Sequence, residues 1–168
     1  MKNMLFAYFF LWPIAYSTTT VSMPPASAPS QQSIHAQPDF NLTPGRLCTA
    51  DDPDFKEYRY PEHIPYCQRN LPRQVKQLIA DRYNVPQADW GKYEFDHLIP
   101  LGIGGSNGAD NIWPQPHGAV DDAEKNKLEQ ELFNLISKGA ITQRDAVDRI
   151  YNWFIFRAFV THNRSRYL

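Results

Sequence analysis

Apolar residues recur at helical spacing in three stretches of this chain and alternate at strand spacing in one. Leu71, Val75, Leu78, Ile79 and Tyr83 share one face, which predicts a helix from about Pro72 to Tyr83, with Pro72 suited to its first turn and Asn84 and Pro86 closing it. A second helix is predicted over Asp121 to Lys138. Its stripe is Leu128, Leu132, Leu135 and Ile136, Gly139 takes the C′ position, and Asp121 and Asp122 sit at the positive end of its dipole. A third begins at Thr142, whose spacing to Asp145 makes a capping box, and runs through Ala146, Val147, Ile150, Tyr151 and Phe154 toward Ala158.

Between the first two helices the period changes. From Lys92 to Ile99, residues Tyr93, Phe95, His97 and Ile99 fall on one side and Glu94, Asp96 and Leu98 on the other, which predicts a strand. Leu101 to Asp110 holds four glycines and no lysine, so it reads as the wide connection of a hairpin and not as a phosphate-binding Walker loop. Asn111 to Trp113 is the expected return strand, ended by Pro114 and Pro116. Leu42 to Pro65 carries four proline turn signals and no period, so an irregular but ordered cap is expected there.

The amino terminus calls for separate treatment. Lys2 precedes an apolar run from Met4 to Tyr16, interrupted by Pro13, and Ala26-Ser27-Ala28 offers a small-x-small cleavage pattern. Residues 1–28 therefore read as an export signal. The alternative, a membrane anchor, has a run well short of the ~20 apolar residues a spanning helix needs, so no stable membrane insertion is expected. Residues 29–43 are polar and aperiodic, a flexible leader, and 44–168 form the single expected domain.

Charge narrows the function. Lys2 is the only charged residue of the signal, so 17 basic and 18 acidic residues become 16 and 18 after its removal, a formal charge of −2. A polyanion site must then be a local patch, and the basic residues Arg69, Arg73, Lys76 and Arg82 of the first helix region are either such a patch or an ordinary solvated face. Cys48 and Cys67 are the only cysteines, in a chain expected in the periplasm or outside the cell. A disulfide is the favoured reading, with a metal pair or free thiols as alternatives.

Strand, glycine loop, short strand and helix, with Asp96-His97 late in the first strand and Asn111 opening the second, is the order of a ββα-metal site. The segment YEFDHLIPLGIGGSNGADNIWPQP resembles the HNH endonuclease family, most closely its exported bacterial members with Asp-His, then Gly-Gly, then Asn-Ile-Trp-Pro-Gln. The resemblance covers residues 93–127, and the upstream Cys-containing segment also looks like the leader of those proteins. It implies an α+β fold, a ββα-metal (HNH) hairpin-plus-helix core with further helices packed around it and an irregular, disulfide-closed N-terminal segment.

The chemistry of these residue types agrees with that resemblance. Phosphodiester hydrolysis needs an activated water and a cation to offset charge on the phosphate, so His97 suits the general base and Asp96 a ligand of one divalent ion. Asn111 would hold His97 or the loop through its amide. A typical member carries a metal-binding His or Asn on the helix, three or four residues before a Lys; here, ahead of Lys125, those places hold Asp122 and Asp121. Asp122 with Asp96 would suit Mg²⁺ or Mn²⁺, whereas His117 with Asp96 would favour Zn²⁺ or Ni²⁺; the spacing favours Asp122. Lys125 is either a substrate-phosphate contact or, with Glu124, a solvated helix face. Trp113 is expected in the core rather than as a stacking platform.

The reading is a secreted or periplasmic metal-dependent endonuclease whose partner is DNA or RNA. Two alternatives remain, a ββα scaffold that has lost catalysis and serves as a binding module, and an enzyme acting on a non-nucleic phosphodiester. No residue pattern identifies an immunity or inhibitor protein or an oligomeric state.

Overall fold

A computed structural model of the chain describes residues 37–118 and 122–164, without the side chains of 122 and 160–164. The expected signal, and the leader as far as residue 36, lie outside the described residues. The elements run β1 (Phe55–Arg59), β2 (Ile64–Cys67), α1 (Arg73–Arg82), β3 (Tyr93–His97), β4 (Ile112–Pro116), α2 (Asp122–Ser137) and α3 (Gln143–Arg164). The fold is mixed α+β, with two small antiparallel hairpins, β1–β2 and β3–β4. None of the described helices is long and apolar enough to cross a membrane.

The helices follow their periodicity closely. At the start of α3 the capping box forms in both directions: Thr142 N donates to Asp145 Oδ2 at 3.1 Å and Asp145 N to Thr142 Oγ1 at 3.1 Å. Leu132 and Ile136 of α2 and Ala146, Ile150 and Phe154 of α3 are buried, and Ile79, Ala80 and Tyr83 bring α1 to the same core. Leu78, expected on the buried stripe of α1, is instead 47% exposed.

The β3–β4 ladder pairs Asp96 with Trp113 and His97 with Ile112. β4 continues to Pro116, through the two prolines expected to end it. Pro114 and Pro116 stand two apart, so both ring nitrogens face away from β3, where a two-stranded hairpin needs no donor. Along β3 the burial alternates, with Phe95 and His97 inward and Glu94 outward.

The expected irregular cap contains the β1–β2 hairpin, turned at Tyr60 and His63 with positive φ. Its turn signals were real, but the strands between them are short and show little apolar alternation. The Cys48–Cys67 disulfide ties this hairpin to the preceding segment, with Cα atoms 5.8 Å apart. That segment runs along the glycine loop, where Cys48 N donates to Gly104 O at 2.8 Å and Ser106 N to Arg46 O at 3.0 Å. Residues 37–43, expected in the flexible leader, also pack down. Thr43 is 0% exposed, and its hydroxyl lies 2.7 Å from that of Tyr83.

Candidate functional site

Asn111 organises the loop between β3 and β4. It is 0% exposed; its Oδ1 accepts from Ile99 N at 3.0 Å, and its Nδ2 donates to Ile99 O at 3.0 Å and Ser106 O at 2.9 Å. The loop must fold back tightly for one amide to reach both sides. Gly105 permits this, since a Cβ there would lie 1.8 Å from Ile99 O. The Gly-Gly and the Asn of the sequence motif thus form one structural device. Of the two roles expected for Asn111, the structure places it on the loop.

The partner of His97 comes from within that loop. His97 is 3% exposed, and its Nε2 lies 3.1 Å from Asn107 Oδ1. Asn107 Nδ2 donates to Asp54 Oδ2 and, at 2.8 Å, to Gln68 O. A main-chain carbonyl only accepts, which sets the Asn107 amide with its oxygen toward His97. The ring proton then sits on Nε2 and leaves Nδ1 as the basic nitrogen. Burial pushes the His97 imidazole down to about 4, against the Asn107 hydrogen bond and the Asp96 charge, which act to raise it. Arg69 and Lys125 also oppose a proton there. At neutral pH His97 is a neutral imidazole in one tautomer.

Asp96 faces away from His97 and meets α2. Lys125 Nζ donates to Asp96 Oδ2 at 2.5 Å and also to Glu129 Oε1. Lys125 is 3% exposed, so the solvated-face reading does not hold for it. Burial acts to lower its pKa, but the two carboxylates outweigh burial and raise it, so the ammonium stays charged. Asp96 and Glu129 keep 21% and 26% of their side chains exposed. Two hard oxygen donors converge here, a donor type that Mg²⁺ or Mn²⁺ accepts, and Asp122 opens the same helix. Both carboxylates face the Lys125 ammonium, which offsets part of their charge. The side chain of Asp122 lies outside the described residues.

The structure does not bring His117 to this point. Its N–H donates to Lys92 O at 2.9 Å, beyond the Tyr93–Pro116 pair at the far end of the hairpin. The Asp96–Trp113 pair is about 13 Å away along the ladder at the usual strand rise. His117 instead lines an open groove of about 700 Å³ together with Arg69, Lys76, Trp90, Tyr93 and Glu94. Trp113 is 1% exposed, in the core.

Among the described residues one group of three metal-ligand types converges, Cys48, Asp52 and Cys67. The two sulfurs are bonded to each other, so they are not thiolate ligands.

Sequence reasoning did not find Asn107, Asp54, Gln68 or Glu129. Asn107 lies within the glycine loop, expected only as a hairpin connection, and Asp54 is 53 positions from it. Glu129 had a signal, since four residues from Lys125 is one helical turn. No protein-family model, curated protein or solved structure matches this chain.

Proposed function

We propose that this chain is an exported phosphodiester hydrolase acting on nucleic acid, an HNH-type endonuclease with His97 as general base. The observation that carries the reading is the geometry of His97: its Nε2 is held at 3.1 Å by Asn107 Oδ1, which leaves Nδ1 to accept a proton. Asn107 is in turn held by Asp54 and Gln68, which fixes the ring orientation that a general base requires.

In this reading His97 Nδ1 removes a proton from the attacking water, and Asn107 keeps the ring from turning as charge develops on it. Asn111 acts as a positioning residue by shaping the loop that carries Asn107. A divalent ion, when bound, would offset negative charge on the phosphate, with Asp96 and Asp122 as its expected ligands and Glu129 beside them. Lys125 holds Asp96 in place and contributes positive charge next to it.

The second reading, a binding module without catalysis, is favoured by two observations. Lys125 already satisfies an oxygen of Asp96, and His97 is nearly sealed from solvent. Purified protein incubated with plasmid, linear DNA and RNA under Mg²⁺, Mn²⁺, Zn²⁺ and EDTA separates the two. Divalent-dependent cleavage that disappears in His97→Ala supports the hydrolase. Folded protein that cuts none of the three with any metal supports the module.

A further inference from the structure

We infer that the open groove between α1 and β3 binds one or two nucleotides of a single nucleic-acid strand, beside the phosphate cut at His97; this rests on the hydrolase reading. The first support is charge. The chain is slightly acidic overall, yet Arg69 and Lys76 line this groove with Arg73 near its Trp90 ring, and none of the three forms an ion pair with a described carboxylate. Among the described lining residues Glu94 is the acid, against the two cations Arg69 and Lys76.

The second support is the type of surface between the charges. Trp90, Tyr93 and Phe95 line the groove, with the Trp90 and Phe95 rings 5.4 Å apart. The Arg73 guanidinium lies 6.0 Å from the Trp90 centroid and the Lys76 ammonium 5.8 Å from that of Phe95. Aromatic faces between unpaired cations suit a base stacked beside its phosphate, and an acidic peptide would use only the charges. The volume of about 700 Å³ lies within the range of small-molecule pockets, about 300–1,000 Å³.

The third support is continuity with the candidate site. Arg69 lines the groove while its Nη2 donates to Phe95 O at 3.4 Å, and Phe95 is two residues before His97 on the same strand. A strand lying over Trp90 and Tyr93 is thus led along β3 toward His97.

The test uses a 5′-fluorescein-labelled octathymidylate, titrated in EDTA with the exported, signal-free protein and read by fluorescence anisotropy. Wild type is expected to bind, with affinity falling as salt rises. The double variant Arg69→Glu/Lys76→Glu should lose at least about tenfold in affinity, Trp90→Ala roughly 5- to 150-fold through lost stacking, and the remote Lys138→Glu nothing. Unchanged binding in the double variant overturns the groove, whether or not Trp90→Ala folds. So does a polyglutamate of equal charge that competes as well as unlabelled octathymidylate. Full cleavage activity in the double variant would remove the groove and leave the hydrolase standing. Oligonucleotide binding that needs these residues, in a protein that cuts nothing, would keep the groove and remove the hydrolase.

Discussion

Asn107 Oδ1 faces His97 Nε2 at 3.1 Å, and Asn107 is itself held by Gln68 O, the residue after Cys67. A disulfide in the N-terminal hairpin is therefore coupled, through one main-chain carbonyl and one amide, to the orientation of the candidate base. The segment that looked like a passive cap supports the site.

Replacing His97 by Ala should lower the cleavage rate by about 10²–10⁴-fold, the usual range for a lost general base. Mn²⁺ affinity by calorimetric titration should stay within a few-fold of wild type, because Asp96 and α2 are untouched. An active His97→Ala protein would sink the mechanism.

Acid should destabilise the protein through the same residue. The folded pKa of His97, about 4, lies below its ordinary value of 6.5, so the unfolded chain takes the proton first as pH falls. The stability that His97 contributes as a neutral group is complete above about pH 6.5, is lost between there and about 4, and changes no further below. The loss should be roughly 3 kcal/mol. Urea unfolding in EDTA across this window should show the slope in wild type and a shallower one in His97→Gln; equal slopes would mean that His97 is not held neutral.

Lys125 gives a metal-specific expectation. Lys125→Met removes the ammonium from between Asp96 and Glu129 and leaves two carboxylates facing each other. Losing one partner of a buried pair costs about 3–5 kcal/mol, and the partial exposure of both acids should reduce this to about 1–3 kcal/mol. Mn²⁺ should then raise the Tm of Lys125→Met by more than it raises that of wild type, as bound cation takes over the missing charge. Equal shifts would argue against a metal position at Asp96.

The disulfide should matter for both stability and rate. Exported protein should have an intact mass about 2 Da below that of the dithiol form. The double variant Cys48→Ser/Cys67→Ser should lose on the order of 3 kcal/mol of stability. Under conditions where it remains folded, its cleavage rate should fall with little change in Mn²⁺ affinity, because Gln68 no longer fixes Asn107. Unaltered kinetics would confine the bridge to stability.

Local physics made much of this molecule legible from its sequence. The three helices rest on apolar periodicity and on capping chemistry, as at Thr142 and Asp145, and β3 rests on strict alternation; these are short-range patterns that a sequence displays directly. The Gly-Gly and Asn111 signals marked the loop because only glycine tolerates the approach of Gly105 to Ile99 O. The β1–β2 hairpin stayed hidden, since Lys56, Glu57 and Tyr58 are exposed and leave little apolar alternation to read.

Tertiary structure alone decided the partners. Which carboxylates reach Lys125, which amide reaches His97 and where His117 ends up depend on how distant segments dock, and polar contacts across 53 positions leave no periodic trace in the chain. The sequence determined which residues have the right chemistry and which elements carry them. The docking of the disulfide hairpin and of α2 determined that His97 is sealed and oriented and that Asp96 is paired with Lys125, because burial and charge pairing are properties of the packed interior and not of residue type.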